Sequence, residues 1–228
     1  MSIQNQFSKH ANEYSNNNII QQIVSKALVR EIKSKPKRIL ELGCGSGQVY
    51  NQINWEIEYY KAIDFSQSMC DIHPKDNIIN IYCFDFDSEE FWQNIKNEKY
   101  DIVLSSSAIQ WSKNLPKLLK RLASITKELN VVLFTSNTFK TIQKITNTKS
   151  PILTSDEIKK SFKIYSNTKF ETISYDLEFD NKKKMFKYIK DSGVSGDSNL
   201  SFKNAKKLYN EYSLNYLEFE VIFIKCVF

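Results

Sequence analysis

Glu41-Leu42-Gly43-Cys44-Gly45-Ser46-Gly47 is the stretch on which the reading of this chain turns. Three of the five glycines in 228 residues fall within five consecutive positions of it. Glycine permits positive φ and lets a ligand approach the backbone closely. The stretch directly follows a short apolar run, Arg38–Leu42, so the glycines sit where a strand hands over to the next element. In open α/β sheets ligands bind at that carboxyl edge.

The pattern is GxGxG with Gln48 next, so the GxGxxG of dinucleotide-binding enzymes is not matched, and no GK[ST] phosphate loop follows. Glu41 stands two places before the first glycine. A pyrophosphate site gains nothing from that carboxylate, whereas a cationic ligand such as a sulfonium amino acid tolerates or exploits it. A tight turn without a ligand is the structural alternative.

Outward from this corner, strands and helices alternate. An amphipathic pattern over 17–33 predicts a first helix that stops before Pro36. Strands are expected at 38–42, 58–63, 78–83, 100–105 and 131–135, with helices at 47–54, 66–72, 88–97 and 115–126 between them. Regular βαβα order predicts a mostly parallel sheet with helices on both faces. Phe170–Phe179 alternates as a half-buried strand, and Glu218–Phe228 is a long apolar one. Between them lies a lysine-rich helical stretch, 182–213, broken at Gly193 and Gly196. The expectation is one domain over 1–228: a seven-stranded, mostly parallel sheet with one antiparallel strand. An N-terminal helical lid segment, 1–35, and a helical insertion, 180–215, complete it.

Composition narrows the function. At 41% hydrophobic and 25% charged residues the chain is an ordinary globular one, and no stretch approaches the ~20 apolar residues of a membrane span. MSIQNQFSKHANEYSNNN has no apolar core of the kind a signal peptide needs, so residence in the cytoplasm is expected. Cys44, Cys70, Cys83 and Cys226 form no CxxC pair, and His10 and His73 are the whole histidine complement. No metal site is expected. The net charge of +6 favours an acidic partner, or reflects lysines used freely on a solvated surface.

Two carboxylates stand at strand ends. Asp64 closes the second strand, where a carboxylate accepts both hydroxyls of a ribose or caps the following helix. Asp85 follows the third, placed for an adenine amino group or for capping, with aromatic Phe84 and Phe86 beside it. Asp101, at the far end of the fourth strand, reads as structural.

ELGCGSG, Asp64 within AIDFSQSM, Asp85, and YDIVLSSSAIQW in this order resemble the motifs of class I methyltransferases, with their Rossmann-like fold. Ser105–Trp111 (SSSAIQW), Phe7, Ala11 and Tyr14 near the start, TSNTFKTI at 135–142 and YIKDSG at 188–193 are similar to the BioC-type malonyl-acyl-carrier-protein O-methyltransferases of biotin synthesis. Two departures stand out. Lys127-Glu128-Leu129-Asn130 replaces the family's Pro-Gly-Gly turn, and DFDSEEF follows where the family has Leu-Pro after its aspartate.

The resemblance implies S-adenosylmethionine as methyl donor, with S-adenosylhomocysteine as product. Glu41, Gly43, Cys44, Gly45, Asp64, Phe65, Asp85, Phe86 and Ser105 would line the cofactor. Tyr14 would close over it as a lid, and Gln110 and Trp111 would stand near the transferred methyl. The acceptor would be a malonyl carboxylate on acyl carrier protein. A carboxylate is already ionised at neutral pH and needs no general base, which suits a chain almost free of histidine. Its recognition is left open among Lys140, Thr135 and Ser136, and docking of the carrier falls to Lys182, Lys183, Lys184, Lys187 and Lys190 if that face is not simply solvated. Rival readings are a small-acid carboxyl methyltransferase of the trans-aconitate kind, a quinone C-methyltransferase and an RNA-modifying or RNA-binding domain. With Arg30, Arg38 and Arg121 the only arginines, the last lacks the usual cluster.

Overall fold

The computed structural model describes residues 18–191 and 202–228. Seven strands form one sheet in the order β3-β2-β1-β4-β5-β7-β6. They are β1 (Arg38–Leu42), β2 (Tyr59–Asp64), β3 (Ile79–Cys83), β4 (Ile102–Ser106), β5 (Glu128–Phe134), β6 (Asn167–Glu178) and β7 (Tyr216–Val227). β1 to β5 pair in parallel, and β7 runs antiparallel to both β5 and β6, so it alone is reversed. This is the Rossmann-like arrangement expected from the order of elements. The strand order reverses between β1 and β4, and the corner at Gly43 lies at that switch point.

Alternate residues of each central strand feed opposite layers. Leu40, Leu42, Val103, Leu129, Val131 and Leu133 point to one face. There α3 (Glu89–Ile95), α4 (Leu115–Leu122) and α6 (Ser155–Phe162) cover them through Phe91, Trp92, Leu118, Leu119, Ile158 and Phe162. Ile39, Tyr60, Ala62, Ile102 and Leu104 face the other way, with Val29 at the end of α1 (Ile19–Arg30) among them. Farther along that face α1, α5 (Lys140–Thr146), α7 (Lys182–Asp191) and α8 (Phe202–Glu211) bury Val24, Ile142, Met185 and Leu208 against β5 and β7. The short α2 (Gln67–Ile72) follows β2.

Local chemistry explains the helix starts. Ser88 accepts from Phe91 N at 3.2 Å and caps α3, Asn114 caps α4, and Thr154 with Glu157 forms a reciprocal capping box on α6. The capping of α3 thus falls to Ser88 rather than to Asp85 or Asp87. Asp101 is structural, its carboxylate accepting the amides of Lys37 and Arg38 at 2.8 Å each.

The expected helix over 47–54 is instead a turn with a single 3-10 segment, Tyr50–Gln52. Val49, Asn51 and Asn54 are poor helix formers, and their backbone is held by turn bonds such as Asn51 N to Gly47 O. β5 begins at Glu128 rather than Val131: without a Pro-Gly-Gly turn nothing prevents Leu129 and Asn130 from pairing with Val103 and Leu104. TSNTFKTI runs into α5 at Lys140, and neither α5 nor α6 is among the elements expected from the sequence. Phe7, Ala11, Tyr14, Gly193 and Gly196 lie outside the described residues.

Leu104 is fully buried between the sheet and its helical cover, whereas Ile164 is 73% exposed. Leu104→Ala is expected to cost about 2–5 kcal/mol, against less than about 0.5 kcal/mol for Ile164→Ala. Urea unfolding, with the midpoint moving at constant slope, measures both.

Candidate active site

The glycine corner is fixed from the strand beside it. Gly43 N and Cys44 N both donate to Ile63 O, at 2.7 and 2.9 Å, and Gly45 N donates to Asp64 Oδ2 at 2.9 Å. Gly43, Gly45 and Gly47 have φ of +73°, +52° and +82°. A Cβ on Gly43 would lie 2.1 Å from Ala108 Cβ, and one on Gly47 would lie 2.4 Å from Pro74 Cδ. Those two glycines permit close packing. Gly45 differs, because its Cβ would meet nothing within 4 Å. It is bare toward open space.

That space is a cleft open to solvent at the carboxyl edge of the sheet. Gly43, Gly45, Asp64, Phe65 and Met69 form one side. Asp85, Phe86 and Asp87 come from the end of β3, and Ser106, Ser107, Ala108, Trp111 and Lys113 from the end of β4. Ser107 holds a left-handed φ of +59°, unusual for a residue other than glycine, as the chain turns away from β4.

The two ends are joined. Asp87 accepts from Ser112 Oγ at 2.8 Å and from Lys113 N at 2.7 Å. Lys113 Nζ lies 3.2 Å from Asp85 Oδ2, whose other oxygen accepts Asp87 N. Asp64 likewise accepts Ser66 N on its second oxygen, at 2.9 Å. All three lining carboxylates are therefore engaged by protein donors. Each retains lone pairs for a ligand hydroxyl or amine, since a carboxylate offers about four acceptor positions.

Of the candidate residues, Asp64, Phe65, Asp85, Phe86, Gly43, Gly45 and Trp111 line the cleft together. Four other candidates lie off its wall. Glu41 is buried beneath the corner, accepting Tyr60 OH at 2.5 Å. Cys44 packs into the core with Val49 and Ala62. Ser105 is buried and donates to Leu42 O, locking β4 to the last carbonyl of β1. Gln110 is buried, its amide donating to Ser107 O at 2.9 Å. These side chains support the wall rather than form it. Thr135 donates to Glu220, Lys140 pairs with Glu218, and neither they nor Ser136 lines the cleft. Met69, Asp87, Ser106, Ser107, Ala108 and Lys113 escaped the sequence reading. The serines and Ala108 lay within the recognised SSSAIQW, whereas Asp87 and Lys113 carried no separate signal. Among the described residues no group of His, Cys, Asp and Glu is placed to hold a metal ion, and no helix is long and apolar enough to cross a membrane.

Burial dominates the electrostatics. Desolvation pushes Glu41 from 4.5 to about 8 despite the Tyr60 hydrogen bond, and Asp64 from 3.8 to about 6 despite its backbone donors. Between the unfolded and folded values the unfolded chain has lost these protons and the folded chain keeps them. The contribution of these two groups to stability therefore falls as pH rises from about 4 toward 8 and levels off above that. Thermal unfolding of Glu41→Gln should show a shallower decline across this window than the parent chain. Equal slopes would contradict the assignment.

The glycines make a paired prediction. Gly43→Ala forces Ala108 aside and should cost several kcal/mol of stability, read by urea unfolding. Gly45→Ala should cost only about 1–2 kcal/mol of backbone strain but weaken S-adenosylhomocysteine binding at least about tenfold by calorimetry, because its methyl enters the cleft.

Comparison with known proteins agrees with this geometry. A methyltransferase domain family model matches residues 12–189. Malonyl-[acyl-carrier protein] O-methyltransferase from Bacillus cereus is 28% identical over 151 residues, which are 63% of this chain and 55% of that protein. The counterpart from Calditerrivibrio nitroreducens is 26% identical over 203 residues, 84% of this chain and 78% of that one. The chain thus spans about half the length of the Bacillus cereus relative and more of the other. Among solved structures, the YcgJ protein of Bacillus subtilis superposes with a TM-score of 0.63 at 12% identity, over 90% of this chain and 97% of that one. The plantazolicin methyltransferase BpumL, in complex with SAH, gives 0.54 at 17% identity, over 97% and 93%. The chain belongs to the methyltransferase domain family, with a Rossmann-like fold.

Proposed function

We propose that this methyltransferase esterifies the free carboxylate of a malonyl group carried on acyl carrier protein, as in the making of a pimeloyl chain for biotin. The observation that carries the reading is the state of the cleft's acids. Asp64, Asp85 and Asp87 are tied to backbone amides, Ser112 and Lys113, and no histidine, cysteine or tyrosine is among the described lining residues. A carbon or nitrogen acceptor must give up a proton, and for that the lining offers only carboxylates already bonded to protein donors. A carboxylate acceptor has none to lose. The named relatives, the SSSAIQW segment and the Phe7, Ala11, Tyr14 pattern point the same way.

The donor fits the cleft as it stands. Gly45 leaves the space that a side chain would fill, Asp64 and Asp85 offer acceptors, and Phe65, Met69 and Phe86 offer apolar surface. Bound there, S-adenosylmethionine supplies a methyl group activated on a positively charged sulfur. The chain's own work is to seat that ligand, exclude water with Phe65, Phe86 and Trp111, and hold an acceptor oxygen in line beside Ser106, Ser107 and Trp111. Orientation of this kind lowers a barrier by several kcal/mol. Tyr14 is assigned the lid role, Gln110 the support of the segment bearing Trp111, and the whole chain one domain. Residence in the cytoplasm suits a carrier-bound substrate.

The purified chain, S-adenosylmethionine and malonyl-carrier protein should yield a carrier heavier by one methyl on its malonyl group, read by mass spectrometry, with free malonate left unchanged. Methylation of aconitate, a quinone precursor or RNA in place of the malonyl group would overturn the substrate assignment.

A further inference from the structure

The positive charge of this chain is concentrated. Residues 180–215 hold eight lysines against four carboxylates and no arginine, a net +4 of the chain's +6. The topology fixes where that charge lies. β6 runs in the same direction as β1 to β5, so its end at Glu178, paired with Tyr216 at the start of β7, stands on the carboxyl edge of the sheet. The connection carrying α7 and α8 therefore rises from the rim on which the cleft opens.

Each helix turns its apolar side inward. Met185, Tyr188, Ile189, Leu208 and Tyr212 are buried in the cluster against which Trp111, a wall of the cleft, also packs. The helices are joined to one another by Phe186 against Tyr209 and by Lys182 Nζ donating to Tyr209 O. Lys183, Lys187 and Lys206 remain exposed, and none has an ion pair among the described residues. Lys184 is partly neutralised by Asp180, just before α7, and Lys207 by Glu211 on α8.

We infer that this lysine face of α7 and α8 docks the acidic carrier protein that brings the acceptor to the cleft, an inference that rests on the carrier-bound substrate proposed above. Charge complementarity speeds encounter and orients the partner, and this face stands on the same rim as the cleft. Two other anionic partners fit less well. Phosphate-rich nucleic acid favours the bidentate fork of arginine, which is absent here. A bilayer surface needs an apolar helix face to insert, and those of α7 and α8 are spent on the core.

The test combines Lys183→Glu, Lys187→Glu and Lys206→Glu in the full chain, with an unchanged melting temperature as the folding control. Carrier protein without a malonyl group should bind the parent chain in a salt-sensitive manner and the variant at least about tenfold more weakly. Rate and KM toward malonyl-pantetheine, which lacks the carrier, should stay the same. Equal carrier binding by both chains overturns the inference, as does binding of an RNA oligonucleotide or anionic vesicles in place of the carrier. Charge-dependent carrier binding without methylation of malonyl would leave the docking face standing and remove the substrate assignment. Methylation of malonyl-pantetheine without carrier binding would do the reverse.

Discussion

Everything at the site depends on how the turn after β1 is tied to the end of β2. Three successive amides, Gly43 to Gly45, are turned toward β2 by positive φ at Gly43 and Gly45, and all three find acceptors there. Buried amides must be paired, and here the acceptors are one carbonyl, Ile63 O, and one side chain, Asp64. Because Asp64 spends one oxygen on Gly45 and the other on Ser66, the same carboxylate shapes the corner and faces the cleft. Any change to it alters wall and floor together.

The same economy recurs around the rim. Asp87 holds the segment after β4 against the segment after β3, although β1 and β2 lie between those strands. Glu41 and Tyr60 fill the layer beneath the corner. Burying carboxyl groups in this way is unfavourable, as the upward displacement of Glu41 and Asp64 shows. Departures from the most stable arrangement gather at functional sites, and the cleft is where this fold accepts them. The result is a set of acids that hold the wall of the cleft in place.

Much of the fold was legible because it rests on patterns local to each element. Apolar runs such as RILEL and IVLS reveal buried parallel strands, IINIYC a parallel strand at the sheet's edge, and Phe170–Phe179 an alternating one. What was missed depends on competition between local preferences. VYNQIN had the length of a helix but not its residues. Thr154-Ser155-Asp156-Glu157 carried a capping-box signal for α6 that was there to be read. In the site, glycines announce themselves, so the corner was visible. The burial of Glu41 was not, because Tyr60 reaches it diagonally across strands and only the register, Glu41 opposite Ala62 and Ile39 opposite Tyr60, brings them together. Ser105 and Gln110 share their motif with true wall residues, and strand alternation and the turn after β4 decide which point inward. The link of Asp87 to Ser112 and Lys113 spans 25 and 26 residues and carries no mark in the sequence.

The most direct test of the account is a crystal structure of the chain grown with saturating S-adenosylhomocysteine. The ligand should lie against Gly45, with Asp64 and Asp85 in hydrogen-bonding range and the Gly43–Gly45 backbone in its present course. An empty cleft at saturation, or the ligand bound elsewhere on the chain, would contradict it.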